Sequence, residues 1–325
     1  WIAPSAKSYH CENDVHDFLG ENRLTLRITM WKDQPSCQNE SYCFESPIII
    51  FEESILNFRD MVSIEMSGLH LYNKYGVIMI DRIGALSFEN ITFTSVDKVK
   101  EAFISSLNAG ALNVSNLVVK MEVMTPMLTF ALNNNNPAAA KVFMKNIQVY
   151  LSCFEEGIAL DSPIFKFFNL EGRNVDLLQI QDFWIKSLDA ATSLDAQAVL
   201  AISGFKAVSI KEFHLEETKI NATGRNSFVS LSANKIVQIS GLKLQQNIFV
   251  ARTTDALLKI ESVDTLEILD SCFSGNKVEG PGSDPLVIIN PDAIAVARIA
   301  NFKVSENIFD GDINIFEFSE FARPS

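Results

Sequence analysis

The sequence predicts an all-β protein folded as a parallel β-helix, a solenoid of about ten rungs. Three observations carry this prediction: apolar segments recur at a fixed spacing, residues alternate within each segment, and one kind of residue recurs at one bend. Hydrophobic residues make up 47% of the 325-residue chain, which is enough for a continuous core rather than a disordered chain.

The fixed spacing is clearest toward the C-terminus. Apolar segments there begin every 29 residues, at Val199, Phe228, Leu257, Leu286 and Ile315. Upstream segments begin at Ile48, Val77, Phe103, Met127 and Ile164, and the first two are again 29 residues apart. A period in this range is typical of solenoids, propellers and repeat arrays.

The second apolar segment of each unit shows the alternation of a strand. Its apolar residues follow steps of two, three and two, as in Leu86, Phe88, Ile91 and Phe93. A step of two indicates a strand, and the step of three predicts a corner after which the chain still faces inward. The bend residue is usually Gly, Asn or Asp, which tolerate left-handed backbone. The predicted corner residues are Gly68, Asn90, Asn116, Asn146, Asp182, Glu212, Gly241, Asp270 and Asn301.

Three other repeat or sheet folds fit less well. A propeller blade is longer and has antiparallel strands joined by hairpins. Leucine-rich repeats are shorter and need their own consensus, and an ordinary β-sandwich has no reason to repeat at 29 residues. Short strands with one tight corner per turn therefore favour the parallel β-helix.

Several rungs resemble a known family. The stretches "LSFENITF", "LNVSNLVV" and "VARIANFKV" resemble the right-handed parallel β-helix of the pectin-lyase-like superfamily, most of all its degenerate repeats in large surface proteins of protists and bacteria. The resemblance covers roughly residues 48–325. It implies a right-handed solenoid, and its degenerate members imply a non-catalytic role.

The two ends of the chain lead to different expectations. Residues 1–47 fit the repeat poorly and are expected to form an N-terminal cap on the helix of residues 48–325. The last stretch, "NIFEFSEFARPS", begins a rung and stops, so the C-terminal end is expected to be uncapped. Either the chain is cut from a longer protein, or another molecule covers that end.

No catalytic, metal or cofactor site is predicted. The resemblance would imply the sites of polygalacturonases or pectate lyases, but their histidine, arginine and paired-aspartate motifs are absent. The best acidic pair, Asp310 and Asp312, is expected to be a solvated turn. One outward column carries the potential ligands, but its members lie rungs apart and too far from one another to share a metal ion: His70, Trp184, His214 and Cys272.

Two features suggest contact surfaces. The first apolar segment of each rung starts with two consecutive apolar residues, so its leading column either points outward as a docking stripe or packs inside a corner, and we favour the corner. Longer steps between Met127, Ile164 and Val199 predict a lateral bulge of insertions, where solenoids often bind partners. The contact residues expected there are Asn133, Asn134, Asn135, Asn136, Glu155, Glu156 and Trp184.

Charge, cysteines and glycosylation sequons limit the partners and the cellular location that we expect. The net charge of −13 argues against nucleic acid as a partner, and no apolar run is long enough to span a membrane. Cys37 and Cys43 close a short loop and are a candidate disulfide among five cysteines. Glycosylation sequons, compatible with secretion, occur at Asn39, Asn90, Asn113 and Asn221.

The sequence thus favours a non-catalytic extracellular or cell-surface β-helix, a structural or adhesive segment of a larger surface or filament-forming protein. Its partners would be other proteins or copies of itself, through the C-terminal end and the lateral loops, with glycans as a further candidate. The alternative is a polysaccharide-active enzyme or a carbohydrate-binding module, for which Trp184 is the prominent aromatic platform.

Overall fold

The computed structural model of this chain describes residues 8–12, 15–19, 25–29, 48–52, 55–95, 102–121, 126–132, 141–151, 163–169, 177–187, 193–195, 199–222, 227, 229–251, 258–279, 287–290, 296–310 and 316–318. Its regular elements are all β-strands, and no residue in these ranges is helical.

The strands stack in four columns, and every pairing is parallel. Column A contains β2 (Val15–Leu19), β5 (Ile55–Ser67), β7 (Val77–Ser95), β8 (Ile104–Met121), β9 (Leu128–Leu132), β11 (Phe165–Asn169), β14 (Leu200–Ser203), β17 (Val229–Ser232), β20 (Leu258–Glu261), β24 (Val287–Asn290) and β28 (Phe316–Phe318). Column B contains β3 (Thr25–Thr29), parts of β5, β7 and β8, then β10 (Lys141–Leu151), β12 (Leu177–Ser187), β15 (Ala207–Glu216), β18 (Ile236–Gln245), β21 (Thr265–Leu269) and β25 (Val296–Ala300).

Two further columns complete the rungs. Column C contains β1 (Ser8–Glu12), β4 (Ile48–Glu52), β6 (His70–Asn73), the later parts of β7, β8, β10, β12, β15 and β18, then β22 (Cys272–Ser274) and β26 (Lys303–Ser305). Column D forms a separate sheet of β13 (Ser193–Asp195), β16 (Lys219–Ala222), β19 (Ile248–Ala251), β23 (Lys277–Glu279) and β27 (Ile308–Asp310). The predicted all-β parallel solenoid is confirmed.

The pairing register confirms the 29-residue step in one half and corrects it in the other. Leu200, Val229, Leu258 and Val287 are successive partners in column A. The expectation that Ile48 starts the rung before Val77 is wrong, because Val77 pairs with Ile55 and Ile48 pairs with His70. Columns A and C both alternate inward and outward, so their apolar patterns look alike in the sequence.

The core is one continuous column of apolar side chains. Four leading residues of the first segment lie inside it, as the corner interpretation predicts: Phe103, Ile164 and Val199 are 0% exposed and Met127 is 2% exposed. Val77, the first of this column, is only half-buried. The Phe103 ring packs on the rings of Phe51 and Phe93, each at 5.0 Å between centroids. The later members of this column, from Phe228 onward, lie outside the described residues.

Each rung turns at left-handed residues. All nine predicted corner residues, between columns B and C, have positive φ, from 51° at Asp270 to 71° at Gly241. A corner between columns A and B has positive φ at Asp60, Arg82, Asn108, Gly204, Ala233 and Ser262. A corner between columns C and D has positive φ at Glu217, Gln246, Gly275 and Glu306. We call these the B/C, A/B and C/D corners.

The described part of the predicted cap consists of strands. β1 pairs with β4, while β2 and β3 both pair with β5, so parallel pairing continues across residue 47. These strands lie in columns C, A and B, and thus add a rung to the stack. The predicted boundary at residue 47 stays a prediction.

Candidate functional site

The B/C corner carries a ladder of exposed amides, which we call the outer ladder: Asn90, Asn116 and Asn146. The Asn116 Nδ2 donates to the Asn90 Oδ1 at 2.9 Å, and the Asn146 Nδ2 donates to the Asn116 Oδ1 at 2.8 Å. Each donor lies one rung after its acceptor. These bonds join exposed side chains, so they align neighbouring corners and bury little surface.

A second ladder lies inside the C/D corner, and we call Asn247, Asn276 and Asn307 the inner ladder. Asn247 and Asn276 are each 1% exposed. The backbone N–H of Asn247 donates to the Asn276 Oδ1 at 2.9 Å, and the Asn247 Nδ2 donates to the same oxygen at 3.0 Å. Asn276 repeats both bonds to the Asn307 Oδ1, at 2.9 and 3.0 Å.

Each inner-ladder amide also bonds back toward the preceding rung. The Nδ2 atoms of Asn247, Asn276 and Asn307 each donate to a backbone carbonyl, of Leu215, Leu244 and Phe273 respectively, at 2.8 Å. The ladder begins at Thr218, whose backbone N–H donates to the Asn247 Oδ1 at 3.0 Å. Every buried amide in it thus binds three rungs together, which is what buried polar groups require.

The inner ladder stops at Asn307 within the described residues. By the pattern of the two preceding rungs, the Asn307 backbone N–H and one Nδ2 hydrogen are directed to a further rung. Neither donor has an acceptor in the described part of the chain. This half-exposed amide therefore directs two converging donors away from the described rungs.

The last described rung, β25 to β28, also exposes apolar side chains that face the core direction. Val304 and Phe309 are 43% and 38% exposed. Their register partners one rung earlier, Phe273 and Val278, are 1% and 0% exposed. The difference arises because Phe273 and Val278 are covered by the next rung. We call the surface formed by Ala297, Ile299, Val304, Asn307 and Phe309 the end face.

The outer face of column C holds a different cluster around Trp184. Its indole stacks on the His214 imidazole at 3.7 Å with an interplanar angle of 11°. His214 is 4% exposed and lies between two carboxylates, Glu212 and Glu216, each 3.3 Å from one ring nitrogen. The Lys243 ammonium contacts Glu212 at 2.8 Å, and this bond lowers the pKa of the Glu212 carboxyl.

The stacking limits what Trp184 offers to a ligand. Trp184 is 39% exposed, but one face of its ring is covered by His214. Gln148 is the register partner of Trp184 on the preceding rung. Sugars bind tryptophan through the ring face, so the face covered by His214 is closed to them.

A charged cluster lies at the A/B corner of the first rungs. Arg82 bonds both oxygens of Asp60, at 2.6 and 2.9 Å, and also contacts Asp81 at 2.9 Å. The bond from Arg82 lowers the pKa of the Asp60 carboxyl, and the two carboxylates raise the pKa of Arg82. Asn108 continues the cluster by donating to Asp81 at 2.8 Å. The cluster is internally paired, which is typical of a surface network.

The core of the described residues contains a small cavity of about 20 Å³ with wholly apolar walls. A volume of this size would hold at most one water, and an apolar wall gives water no partner. The rings of Phe183 and Phe213 stack on neighbouring rungs, and Leu242 takes the same position on the next rung. The cavity lies at this change from a ring to a smaller side chain. The cavity offers no room for a ligand. Its lining residues are Ile210, Phe213, Val229, Ile239, Leu242, Leu244 and Leu258.

The remaining chemistry-bearing side chains stay apart. Within the described ranges, no group of three His, Cys, Asp or Glu side chains is placed to hold a metal ion. The His70 Nε2 lies 2.9 Å from the Thr94 hydroxyl, and burial lowers the His70 pKa. Cys272 is a free thiol that accepts a bond from Gln245. In the described part of the chain, no helix is long and apolar enough to cross a membrane.

Some of the other predicted site residues lie in the described part of the chain and the rest lie outside it. Asn90 and Asn113 are exposed, as a glycan would require, and Asn221 lies in β16. Trp184 lies on the outer face of β12. The other predicted residues lie outside the described ranges, so their glycosylation, disulfide and contact roles stay predictions: Asn39, Cys37, Cys43, Asn133, Asn134, Asn135, Asn136, Glu155 and Glu156.

The inner ladder was not predicted, although the sequence contains its signal. The stretches "ETKI", "QNIF", "GNKV" and "ENIF" begin at Glu217, Gln246, Gly275 and Glu306. Each pairs a left-handed residue with Thr or Asn and an alternating strand. In the sequence, a Thr or Asn at the second position is typical of an ordinary exposed turn, so the burial of this residue was not predicted.

Comparison with known proteins adds no relative. No protein-family model matches the chain, and no curated protein or solved structure gives a significant match. The features that bear on function are therefore the fold, the two ladders and the end face.

Proposed function

We propose that this chain is a non-catalytic structural β-helix, a segment of a larger extracellular surface or filament-forming protein that acts through protein–protein contacts. The proposal includes membership of the pectin-lyase-like superfamily, which the corner sequences suggest. The end face is its proposed contact surface. Other β-strands are the proposed partners, because they match the edge that this rung offers.

The end face is the observation that carries this proposal. Its inward-facing side chains are apolar and exposed, whereas their counterparts one rung earlier are fully buried. Its strands also offer an unpaired edge in β25 and β26 among the described pairings. An apolar surface bordered by a free strand edge is suited to further strand pairing, which proteins otherwise protect against.

The rival function, polysaccharide binding or cleavage, is less well supported. The aromatic platform on which it depends has one ring face against His214. In the described residues, Glu212 and Glu216 both contact this same imidazole, and Glu212 also contacts Lys243. These carboxylates are engaged in holding the outer face together.

The proposal is tested by placing a charge on the end face. Val304→Lys puts an ammonium on the apolar surface, and we expect it to abolish assembly of the protein. Val296→Lys is the matched control, because Val296 is 56% exposed on the same rung but pairs with the outward Thr265. Sedimentation velocity at increasing concentration and negative-stain electron microscopy measure assembly, and a thermal melt confirms that both variants are folded.

The two outcomes are distinct. Concentration-dependent rods or oligomers in the wild type and in Val296→Lys, but not in Val304→Lys, support a contact through the end face. A wild type that stays monomeric, or a Val304→Lys variant that assembles as well as the wild type, overturns it. In either of those cases, a turnover screen against neutral and acidic polysaccharides tests the rival function.

A further inference from the structure

We infer that two copies of this chain associate side by side through the outward face of column B, around a twofold axis that runs along the column B part of β8. We call the outward residues of column B on β7, β8 and β10 the side patch. The contact goes beyond the proposed function, because the end face takes no part in it. Charge complementarity is its main support, and the sizes of the side chains agree with it.

The side patch has opposite charges on the two sides of β8. Ser115 of β8 pairs in register with Glu89 of β7 and with Lys145 of β10. Glu89 and Lys145 therefore lie two strand spacings apart, about 10 Å, and both are exposed. Neither has an ion-pair partner within the described ranges. Each charge is thus available to an opposite charge on another molecule.

A twofold axis along β8 makes this face complementary to itself. It reverses the order of the rungs and keeps the position along each strand, so β7 of one copy lies over β10 of the other. Glu89 of each copy then faces Lys145 of the other, and two equal ion pairs form across the axis. Such an isologous contact closes at a dimer. Opposite charges at an interface also favour the matching register over others.

The sizes of the side chains also match across the axis. Phe143 on β10 is half-buried on the outward side, and its register column continues through Asn113 to Ser87 of β7. The same twofold sets the Phe143 ring of one copy over Ser87 of the other, so a large side chain meets a small one. Lys141 is set over Ala85 in the same way. The two sheets can therefore approach to about 10 Å, the distance at which β-sheets pack face to face.

The area of the face limits the strength of this contact. Five rungs centred on β8 span about 24 Å and the column is about 20 Å wide, which gives roughly 500 Å² per copy. Stable interfaces bury about 800 Å² per partner. The dimer is therefore weak, scarce in dilute solution and favoured where many copies are held close together.

The twofold axis also sets Asn113 of one copy against Asn113 of the other. A glycan on this sequon would fill the interface, so the side contact and glycosylation of Asn113 exclude each other. We expect mass spectrometry of the protein from its native source to find Asn113 unmodified. A glycan on Asn113 in the native protein would overturn the inference.

Thiol crosslinking measures the contact directly. Ser115 lies at the axis, so Ser115→Cys brings two thiols within reach of a short bismaleimide crosslinker only when two side patches meet. Ser209→Cys is the matched control, because Ser209 is outward and half-buried on the same face but three rungs from β8. We expect the covalent dimer of Ser115→Cys to form at least about tenfold faster than that of Ser209→Cys.

Charge reversal identifies the ion pairs that hold the dimer. In the Ser115→Cys protein, Glu89→Lys and Lys145→Glu each set like charges face to face, and each should lower the crosslinking rate by at least about tenfold. The double variant Glu89→Lys/Lys145→Glu restores both pairs with the charges exchanged. An equimolar mixture of the two single variants should also crosslink, as a dimer with one copy of each. Arg298→Glu, at an exposed position of the same column beyond the side patch, is the control and should leave the rate unchanged.

The outcomes separate this contact from the end-face contact. A Ser115→Cys protein that crosslinks no faster than Ser209→Cys, or charge reversals that the exchange does not rescue, overturn the side contact. Val304→Lys lies outside the side patch and should leave the crosslinking rate unchanged, whether or not the end-face contact exists. Crosslinking that is lost in Val304→Lys would assign the contact to the end face and overturn the inference. A thermal melt confirms that each variant is folded.

Discussion

The rungs of residues 55–121 and those of residues 199–310 make the same A/B corner in two different ways. In the first region the strands run unbroken through the corners, with 13 residues in β5, 19 in β7 and 18 in β8. In the second region β14, β17 and β20 are four residues long and end at the corner. Both regions nevertheless have a left-handed residue at this bend.

The difference lies in what fills the turn. In the first region Gly84 and Gly110 come after the corner, and a Cβ on Gly110 would lie 2.6 Å from the Gly84 carbonyl oxygen. In the second region Lys206 occupies the corresponding exposed position, and buried Asn234 bonds the Phe205 N–H and the Ile202 carbonyl. One bend is thus closed by omitting side chains and the other by burying an amide. Three substitutions, one in a buried amide of the second region and two in β8 of the first, test how each region is stabilised.

The largest effect is expected at the inner ladder. Asn276→Ala removes the acceptor for the Asn247 backbone N–H and the donor to the Leu244 carbonyl, leaving both groups buried without partners. Each such group costs about 1–3 kcal/mol, so we expect the free energy of unfolding to fall by about 3 kcal/mol or more. Urea denaturation measures it.

The control for this substitution is Asn116→Ala in the outer ladder. Asn116 is exposed, so the loss of its side-chain hydrogen bonds should cost little. Its φ of 54° disfavours alanine, and we therefore expect a loss of about 1 kcal/mol in the free energy of unfolding. Equal losses at the two sites would contradict the distinction between a buried and an exposed ladder.

A smaller effect is expected at the glycine pair. Gly110→Ala forces the backbone of β8 away from that of β7, because the obstructing atom is a carbonyl oxygen rather than a movable side chain. We expect a loss of about 2 kcal/mol in the free energy of unfolding. The neighbouring Ala111→Ser adds a similar volume at a half-buried outward position and should change stability by less than about 0.5 kcal/mol. A Gly110→Ala variant as stable as the wild type would show that this bend tolerates a wider turn.

The smallest effect has the opposite sign. Ser106 is 0% exposed between Ile80 and Phe130, and its hydroxyl has no hydrogen-bond partner among the described residues. Ser106→Ala removes this unpaired group and should raise the free energy of unfolding by about 1 kcal/mol. Ser105→Ala, on the outward side of the same strand, should be nearly neutral. A destabilised Ser106→Ala variant would indicate that the hydroxyl binds a buried water.

The sequence predicts the B/C corner well because local preference and the stacked geometry agree there. Asn90, Asn116 and Asn146 are residues that adopt left-handed backbone at low cost. The A/B corner was not predicted, because it includes Arg82 and Ala233, which have no such preference. There the neighbouring rungs impose the conformation, and a single rung of sequence carries no sign of it.

The candidate sites were less predictable than the fold. The exposure of Trp184 was expected from its outward position, but the covering of its ring depends on His214, which lies one rung later. The end face depends on a comparison between whole rungs. Val304 and Phe273 have the same alternating pattern and differ in exposure only because a further rung covers Phe273. Such features depend on how neighbouring rungs stack on one another, and the alternation of residues within one rung does not reveal this stacking.

The inner ladder also gives the rod an electrical polarity. Its side-chain amides are joined head to tail, and every inter-rung donor in it that bonds another amide is directed toward the last rung. The dipoles of aligned amides add, as they do in a helix, so their positive pole lies at the end face. The outer ladder runs the other way and directs its donors toward the first rungs. The two ladders thus align their side-chain amides in opposite directions along one stack, so the two sides of a rung differ in the direction of their amide dipoles although the backbone pairing is the same.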